Sequence, residues 1–339
     1  VSIIELMVGI AIAMLVGLTA AGSAIVFTAS QRQGVGAGGV GVNVATALAA
    51  IKNDLALAGL GFFGESNYLC NRLSLSVGAG VIVDGADFSP VAITAVGDDD
   101  RIDVVYAERI EAGANVLLAA ASDGSSASML SLMPAAVGQA VLLAPATAGT
   151  SCLVRTVTAV TSSTATARQI LDFAAGGEHN DAAFSAAPAF VERDRATLLG
   201  DLQWSRYRRI GDTLVLERPL FGGPPVVIAR DVIGLRAQYG LAAAVAGSTT
   251  LETWQDATGA FATLSAANLP RVRALRVGMV VRSPQRQKPD ADGNCDASLA
   301  KPQLFGGVVE PGVADWQCYR YRVITAVVPL RNLVLGLRS

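Results

Sequence analysis

Glu5 is the only charged residue in the first 31 positions, and it sits inside an apolar run, Val1-Ser2-Ile3-Ile4-Glu5-Leu6-Met7-Val8-Gly9-Ile10-Ala11-Ile12. From Leu6 to Phe27 there are 22 residues without a charge, enough at ~1.5 Å per residue to cross a bilayer core of roughly 30 Å. The run predicts a membrane-spanning helix over residues 1–27. A carboxylate at the centre of such a helix costs about 2.5–3.5 kcal/mol, and less toward an end. Glu5 therefore needs a partner, and the chain offers one only at its own terminus or on another molecule.

A secretory signal peptide would place positive charge before its apolar core and a small-residue cleavage site after it. The sequence instead starts directly on the apolar run, as though a leader had been removed upstream of Val1. This arrangement resembles the class III signal of type IV pilins and pseudopilins, in which Gly precedes Phe-Thr-Leu-Ile-Glu-Leu. The chain matches at Ile4, Glu5 and Leu6, and departs at Val1, where Phe or Met is usual. The resemblance implies that the first residue is N-methylated and that the Glu5 carboxylate pairs with the Val1 ammonium of a filament neighbour. An α-amino group with a pKa near 8 is cationic at neutral pH, and pairing two charges in an apolar core removes both unpaired-ion penalties. Register is the gain, because a subunit docked one position out would bury both charges alone.

The remainder reads as an exported globular body. With 339 residues and 52% apolar content the chain can build a large core, and no later window resembles a second span. A net charge of −2 argues against a direct nucleic-acid surface. Arginines that alternate with apolar residues, as in Arg206-Tyr207-Arg208 and Arg271-Val272-Arg273, read as solvated strand faces. Cys70, Cys152, Cys295 and Cys318 lack zinc-site spacing. In a body outside the cytoplasm they suggest two disulfides. Three pairings are possible; Cys295 with Cys318 and Cys70 with Cys152 are favoured, the first closing a Gly- and Pro-rich loop.

Gly34, Gly36, Gly38, Gly39 and Gly41 crowd into eight positions after the apolar run. Each costs a helix about 1 kcal/mol relative to Ala, which makes this the softest part of the N-terminal helix and a candidate joint. Helical periodicity resumes through Val44, Leu48, Ile51, Leu55 and Ala58, with Gly59 and Gly61 as stop signals. From Leu73 onward the pattern is β. Gln203 to Arg218 reads as a hairpin turning at Gly211-Asp212, and Leu275 to Arg282 is expected to pair antiparallel with Tyr319 to Val328. Segments 111–128 and 242–266, rich in Ala, Ser and Gly, are expected as surface loops or short helices. The fold expected is α+β: a long N-terminal helix over residues 1–58, and a β-rich head over residues 59–339 with an antiparallel sheet laid on it.

Four segments narrow the resemblance to the PilW family of minor pilins. They are Asp54-Leu55-Ala56-Leu57-Ala58-Gly59, Asp231 to Gly240, Val272 to Ser283, and Tyr319 to Asn332. The stretch from Ala112 to Val191 has no such landmark. The resemblance implies a type IV pilin-like fold and a non-catalytic subunit that helps initiate a type IV pilus. It would form part of the pilus tip with other minor pilins, the major pilin and a PilY-type adhesin. Such a protein crosses the bacterial inner membrane once before assembly and then resides at the cell surface. A J-type pseudopilin of type II secretion is the alternative, and an anchored periplasmic binding module or enzyme a remote one.

Chemical motifs are sparse. Gly34-Val35-Gly36-Ala37-Gly38-Gly39 matches a dinucleotide fingerprint in letters only, since an apolar span precedes it and a helix carries Asp54. His179, the only histidine, lies in the polar stretch Gly176 to Asp181 and reads as solvated; no catalytic residue and no cofactor is expected. Asp98-Asp99-Asp100 reads as a solvated turn. Asp290-Ala291-Asp292-Gly293-Asn294 opens like a calcium loop but has Cys295 in place of Gly and Lys301 in place of the closing Glu, so no metal site is expected.

Overall fold

The computed structural model describes Met14 and residues 44–62, 70–108, 115–147, 149–163, 166, 168–244, 248 and 250–335. Val1, Glu5, the glycines from Gly34 to Gly41 and the expected span over residues 1–27, Met14 aside, lie outside the described residues. Among those described, no helix is long and apolar enough to cross a membrane.

Helix α1 (residues 44–57) buries the face that its periodicity marks: Val44, Ala47, Leu48, Ile51, Leu55 and Ala58 are all buried, while Lys52, Asn53 and Ala56 face solvent. Gly59, at φ +77°, ends it in the left-handed conformation that glycine adopts without a Cβ penalty.

The strands follow in order. β1 (Arg72–Val77) and β2 (Gly80–Asp87) form one hairpin, β3 (Val91–Val96) and β4 (Asp99–Ala107) another. Next come β5 (Asn115–Leu117), β6 (Ser126–Met129), β7 (Ala140–Ala144), β8 (Cys152–Thr156), β9 (Ala159–Ser163), β10 (Arg168–Asp172) and β11 (Arg195–Gly200). β12 (Leu202–Ile210), β13 (Thr213–Glu217), β14 (Val226–Arg230), β15 (Val232–Ala242), β16 (Leu251–Gln255) and β17 (Val272–Arg282) continue the chain. It closes with the two-residue strands β18 (Gln303–Leu304) and β19 (Gly307–Val308), then β20 (Tyr321–Pro329) and helix α2 (Arg331–Leu335).

Two sheets hold α1. One has the order β14-β13-β12-β4-β3 and the other β16-β15-β17-β20. Their inner faces share one hydrophobic core with the helix, in which Ile93, Ile102, Tyr207, Leu235, Tyr239, Leu275, Val277 and Met279 are all buried. The hairpin at Gly211-Asp212 is present, with Ile210 opposite Thr213 and Gly211 at φ +57°. β17 and β20 pair antiparallel from Ala274↔Pro329 to Arg282↔Tyr321, in agreement with the sequence pattern.

The β structure is more divided than the one antiparallel sheet expected. A second body contains a six-stranded sheet, β2-β1-β8-β7-β11-β5, and a three-stranded sheet, β6-β10-β9, around separate cores. Strands β5, β6 and β16 occupy parts of the Ala- and Ser-rich segments expected as loops. Short alternations such as Ser126-Ala127-Ser128-Met129, buried at every second residue, were hidden by low hydrophobicity. Most of this body is an excursion between two paired neighbours, since the chain leaves at Ala107 and returns to pair Leu202 with Ala107. One parallel contact, Leu73↔Cys152 and Ser74↔Leu153, joins β1 to β8. The Cys70–Cys152 disulfide lies beside it, with Cα atoms 5.7 Å apart.

α1 is fastened to β4 by more than packing. Asp54 accepts hydrogen bonds from Tyr106 Oη at 2.9 Å and from Tyr207 Oη at 2.6 Å, bridging β4 and β12. Burial, and then the Asp54 carboxylate, push both phenols well above the usual tyrosine range, so they remain protonated donors. Beyond the helix the backbone continues the attachment, with Gly59 N–H donating to Val105 O and Ala107 N–H to Leu60 O. Asn332 Nδ2 donates to Leu57 O at 3.1 Å and so satisfies a helix-terminal carbonyl.

Asp54→Ala orphans two hydroxyls and should lower the unfolding free energy by roughly 2–4 kcal/mol. Adding Tyr106→Phe and Tyr207→Phe removes the orphaned groups and should restore part of that loss in a denaturant-melt cycle. Strict additivity of the three changes would show that the carboxylate does not couple helix to sheet.

Candidate assembly site

The residues expected to act in assembly at the N-terminus lie outside the described residues; the site is the frame that receives helix α1, together with its outer surface. Two carboxylates close the seam between the two sheets. β16 pairs with β15 only from Tyr239 onward. Earlier on that edge, Asp99 Oδ1 accepts from Leu235 N–H at 2.9 Å and Asp100 Oδ2 from Ala237 N–H at 2.8 Å. The pair thus stands in for the missing strand. Asp99 also binds Arg209 Nε at 2.6 Å. The expectation of a solvated turn holds for Asp98 but fails for Asp100, which is 7% exposed. Burial raises the Asp100 carboxyl above its ordinary value, against the lowering effect of the Ala237 N–H.

The strand arginines are likewise less solvated than alternation suggests. Asp103, 5% exposed, gathers Arg101 Nε at 2.8 Å, Arg206 Nε at 2.6 Å and Trp204 Nε1 at 2.9 Å. Arg273 Nη2 donates to Ser248 O at 2.6 Å. Sequence shows the charges; only the cross-strand register shows that opposite signs meet.

On the outer face of the β15–β17–β20 sheet lies the β18–β19 hairpin. Gly278 admits it, because a Cβ there would stand 2.4 Å from Leu304 Cδ1. The turn Phe305-Gly306 has φ +53° and +85°, a left-handed pair that is strained for phenylalanine. What holds Phe305 there is Arg276, whose guanidinium carbon is 4.3 Å from the Phe305 ring centroid and 4.8 Å from that of Trp254. Arg276 Nε also donates to Gln238, whose Nε2 donates to Asp256 Oδ1 at 2.6 Å. Below the hairpin, the Cys295–Cys318 disulfide, Cα atoms 4.8 Å apart, closes the loop that leads into β20. Arg286–Asp315 at 2.5 Å and Lys301–Glu310 at 2.7 Å are its exposed ion pairs.

His179 is 3% exposed, which corrects its reading as a solvated residue. Its Nδ1 lies 2.6 Å from the Ser76 carbonyl, an acceptor only, so Nδ1 carries the proton and donates. The backbone around it is held in turn by Thr156 Oγ1 and Arg155. These bonds join the 176–181 segment to β1 and β8 as structural ties. Asp290 Oδ1 accepts from Asp292 N–H and Asn294 N–H, the self-contained turn that its sequence suggests. Among the described residues no three His, Cys, Asp or Glu side chains converge on a position for a metal ion.

Asp100 makes stability depend on pH. A carboxyl raised in the folded state binds its proton more tightly there than in the unfolded chain, so its contribution is greatest in acid and is lost as pH rises from 3.8 through the folded value. Asp100→Asn keeps an oxygen for Ala237 N–H and removes the charge. Its stability relative to wild type should improve as pH rises above 3.8, and a difference that does not change with pH would contradict the assignment. Removing the 23-residue-separated bridge by Cys295→Ser with Cys318→Ser should cost about 3 kcal/mol in a denaturant melt. Free thiol in the native protein would reject the bridge.

No curated protein matches the chain in sequence. Among solved structures, a type IV-like pilin from Thermus thermophilus aligns over 86% of this chain and 96% of its own, at 11% identity and a TM-score of 0.36. Residues 221–332, from the approach to β14 into α2, match the family model of the type IV pilus-assembly protein W, PilW.

Proposed function

We propose that this chain is a minor pilin that helps initiate type IV pilus assembly and forms part of the tip complex presenting an adhesin. One observation carries the reading: the PilW match at 221–332 contains β15, β17 and β20, which bury α1. The recognised segment is thus also part of the receptacle for α1. The role is structural and non-catalytic. Residues 1–58 form the helix that enters membrane and then filament, and 59–339 the exposed head. Val1 and Glu5 supply the intersubunit charge pair, while Gly34, Gly36, Gly38, Gly39 and Gly41 form a compliant joint. Its partners are other minor pilins, the major pilin and a PilY-type adhesin, and its path runs from the inner membrane to the cell surface.

Mass spectrometry of sheared filaments should detect the head peptides together with an N-methylated Val1 peptide. Glu5→Gln and Glu5→Ala should leave the protein in the membrane and reduce its amount in filaments. Absence of the wild-type protein from filaments would overturn the reading, and normal incorporation of both variants would remove the charge pair from it.

A further inference from the structure

Sheet edges are open templates for another chain, and proteins blunt them with charge, proline, bulges or cover. Four edges here are treated in this way. β2 is bulged twice against β1 and carries Asp84 and Asp87. β14 follows Pro224-Pro225 and has a register shift against β13; β16 carries Glu252 and another shift. The β3 edge is covered, Ile93 N–H donating to Tyr239 Oη at 2.6 Å.

β20 is left open. Its nine residues pair with β17 without a register shift, and Val323-Ile324-Thr325-Ala326-Val327-Val328 carries no charge. Leu330 N–H donates to Arg273 O, and Ser283 N–H to Arg320 O, so even-numbered residues turn their backbone groups toward β17. The N–H and C=O of Tyr321, Val323, Thr325 and Val327 then face the free edge, where none has a partner among the described residues. Pro329, without an N–H, ends the template. Val323 and Val327 are 43% and 54% exposed. At the strand's start Arg320 and Arg322 are exposed and have no ion-pair partner among the described residues.

We propose that the β20 edge accepts, by sheet extension, an extended segment of a different pilus-assembly polypeptide. That segment places uncharged β-branched or apolar residues beside Val323 and Val327 and a carboxylate beside Arg320 or Arg322. The identity of the partner class rests on the pilus-assembly reading; the open edge does not. A second copy is a poorer occupant. Antiparallel pairing centred on Thr325 would leave the arginines unneutralised, and the twofold axis would reverse α1 between copies, whereas helices entering one filament run the same way.

The test is photocrosslinking in intact cells, with a benzophenone amino acid at Val327 of the full-length chain and the adduct mapped by peptide sequencing. The expected product joins position 327 to an alternating apolar segment of another pilus protein. Thr325→Pro deletes an edge-facing N–H without touching the β17 ladder, and should reduce the adduct about tenfold, the equivalent of one or two backbone hydrogen bonds. Thr325→Val should leave it unchanged, and both variants should keep the wild-type melting temperature within a few degrees. Arg322→Glu should also weaken the adduct. An adduct to a second copy, to a helix, or to nothing would overturn the proposal, as would an adduct indifferent to Thr325→Pro. If the Thr325→Pro protein itself unfolds, Val323→Lys replaces it, with the same loss expected. The crosslink forms or fails whether or not the chain is found in sheared filaments, so failure of the edge and failure of the pilus reading are separable.

Discussion

The carboxylate of Asp54 is the point on which the frame depends. It lies on a helix whose remaining inward face is apolar, and apolar burial is non-directional. Packing alone would tolerate some sliding of α1 along the two sheets. Two phenolic donors from neighbouring strands allow one position, because the oxygens of one carboxylate must meet Tyr106 and Tyr207 together. The rotational setting of α1 follows. Asp99 and Asp100 perform the matching task at the seam, joining the two sheets so that the groove holding the helix keeps its width.

Much of this frame was legible in the sequence. The five apolar positions from Val44 to Ala58, the glycine stop, the Gly211-Asp212 hairpin and the β17–β20 pair are local patterns, and local patterns survive folding. The carboxylate contacts were not legible. Asp54 had drawn notice only as a spurious cofactor acid and as the start of a family-like segment, and Asp99-Asp100 as a turn, because their partners are 52 to 153 residues away. A clue existed in the tyrosines, which alternate into the same core face as Ile102 and Val104 and so bring hydroxyls that need an acceptor. His179 misled for the opposite reason. A polar neighbourhood in sequence became a buried one when the 176–181 segment folded over β1 and β8.

The second body illustrates the limit of periodicity. Its strands are three to six residues long apart from β2, and two of them, β6 and β9, are dominated by Ala, Ser and Thr. Such strands take their stability from register and burial more than from intrinsic preference. The Cys70–Cys152 bridge supports the least regular junction, where only two residue pairs connect β1 to β8.

The excursion between β4 and β12 bears on how the molecule carries tension. A pull on the excursion itself, β5 to β11, enters through Ala107 and Leu202, at the same end of a paired ladder, and so begins to peel that ladder open one bond at a time. At this end, however, β4 is also tied on its other side: Val105 and Ala107 are bonded to Gly59 and Leu60, and Tyr106 to Asp54. Load can therefore pass directly from the outer body into the helix, bypassing the rest of the sheet. A molecule pulled in this way shares strain between two attachments instead of surrendering β4 and β12 in sequence.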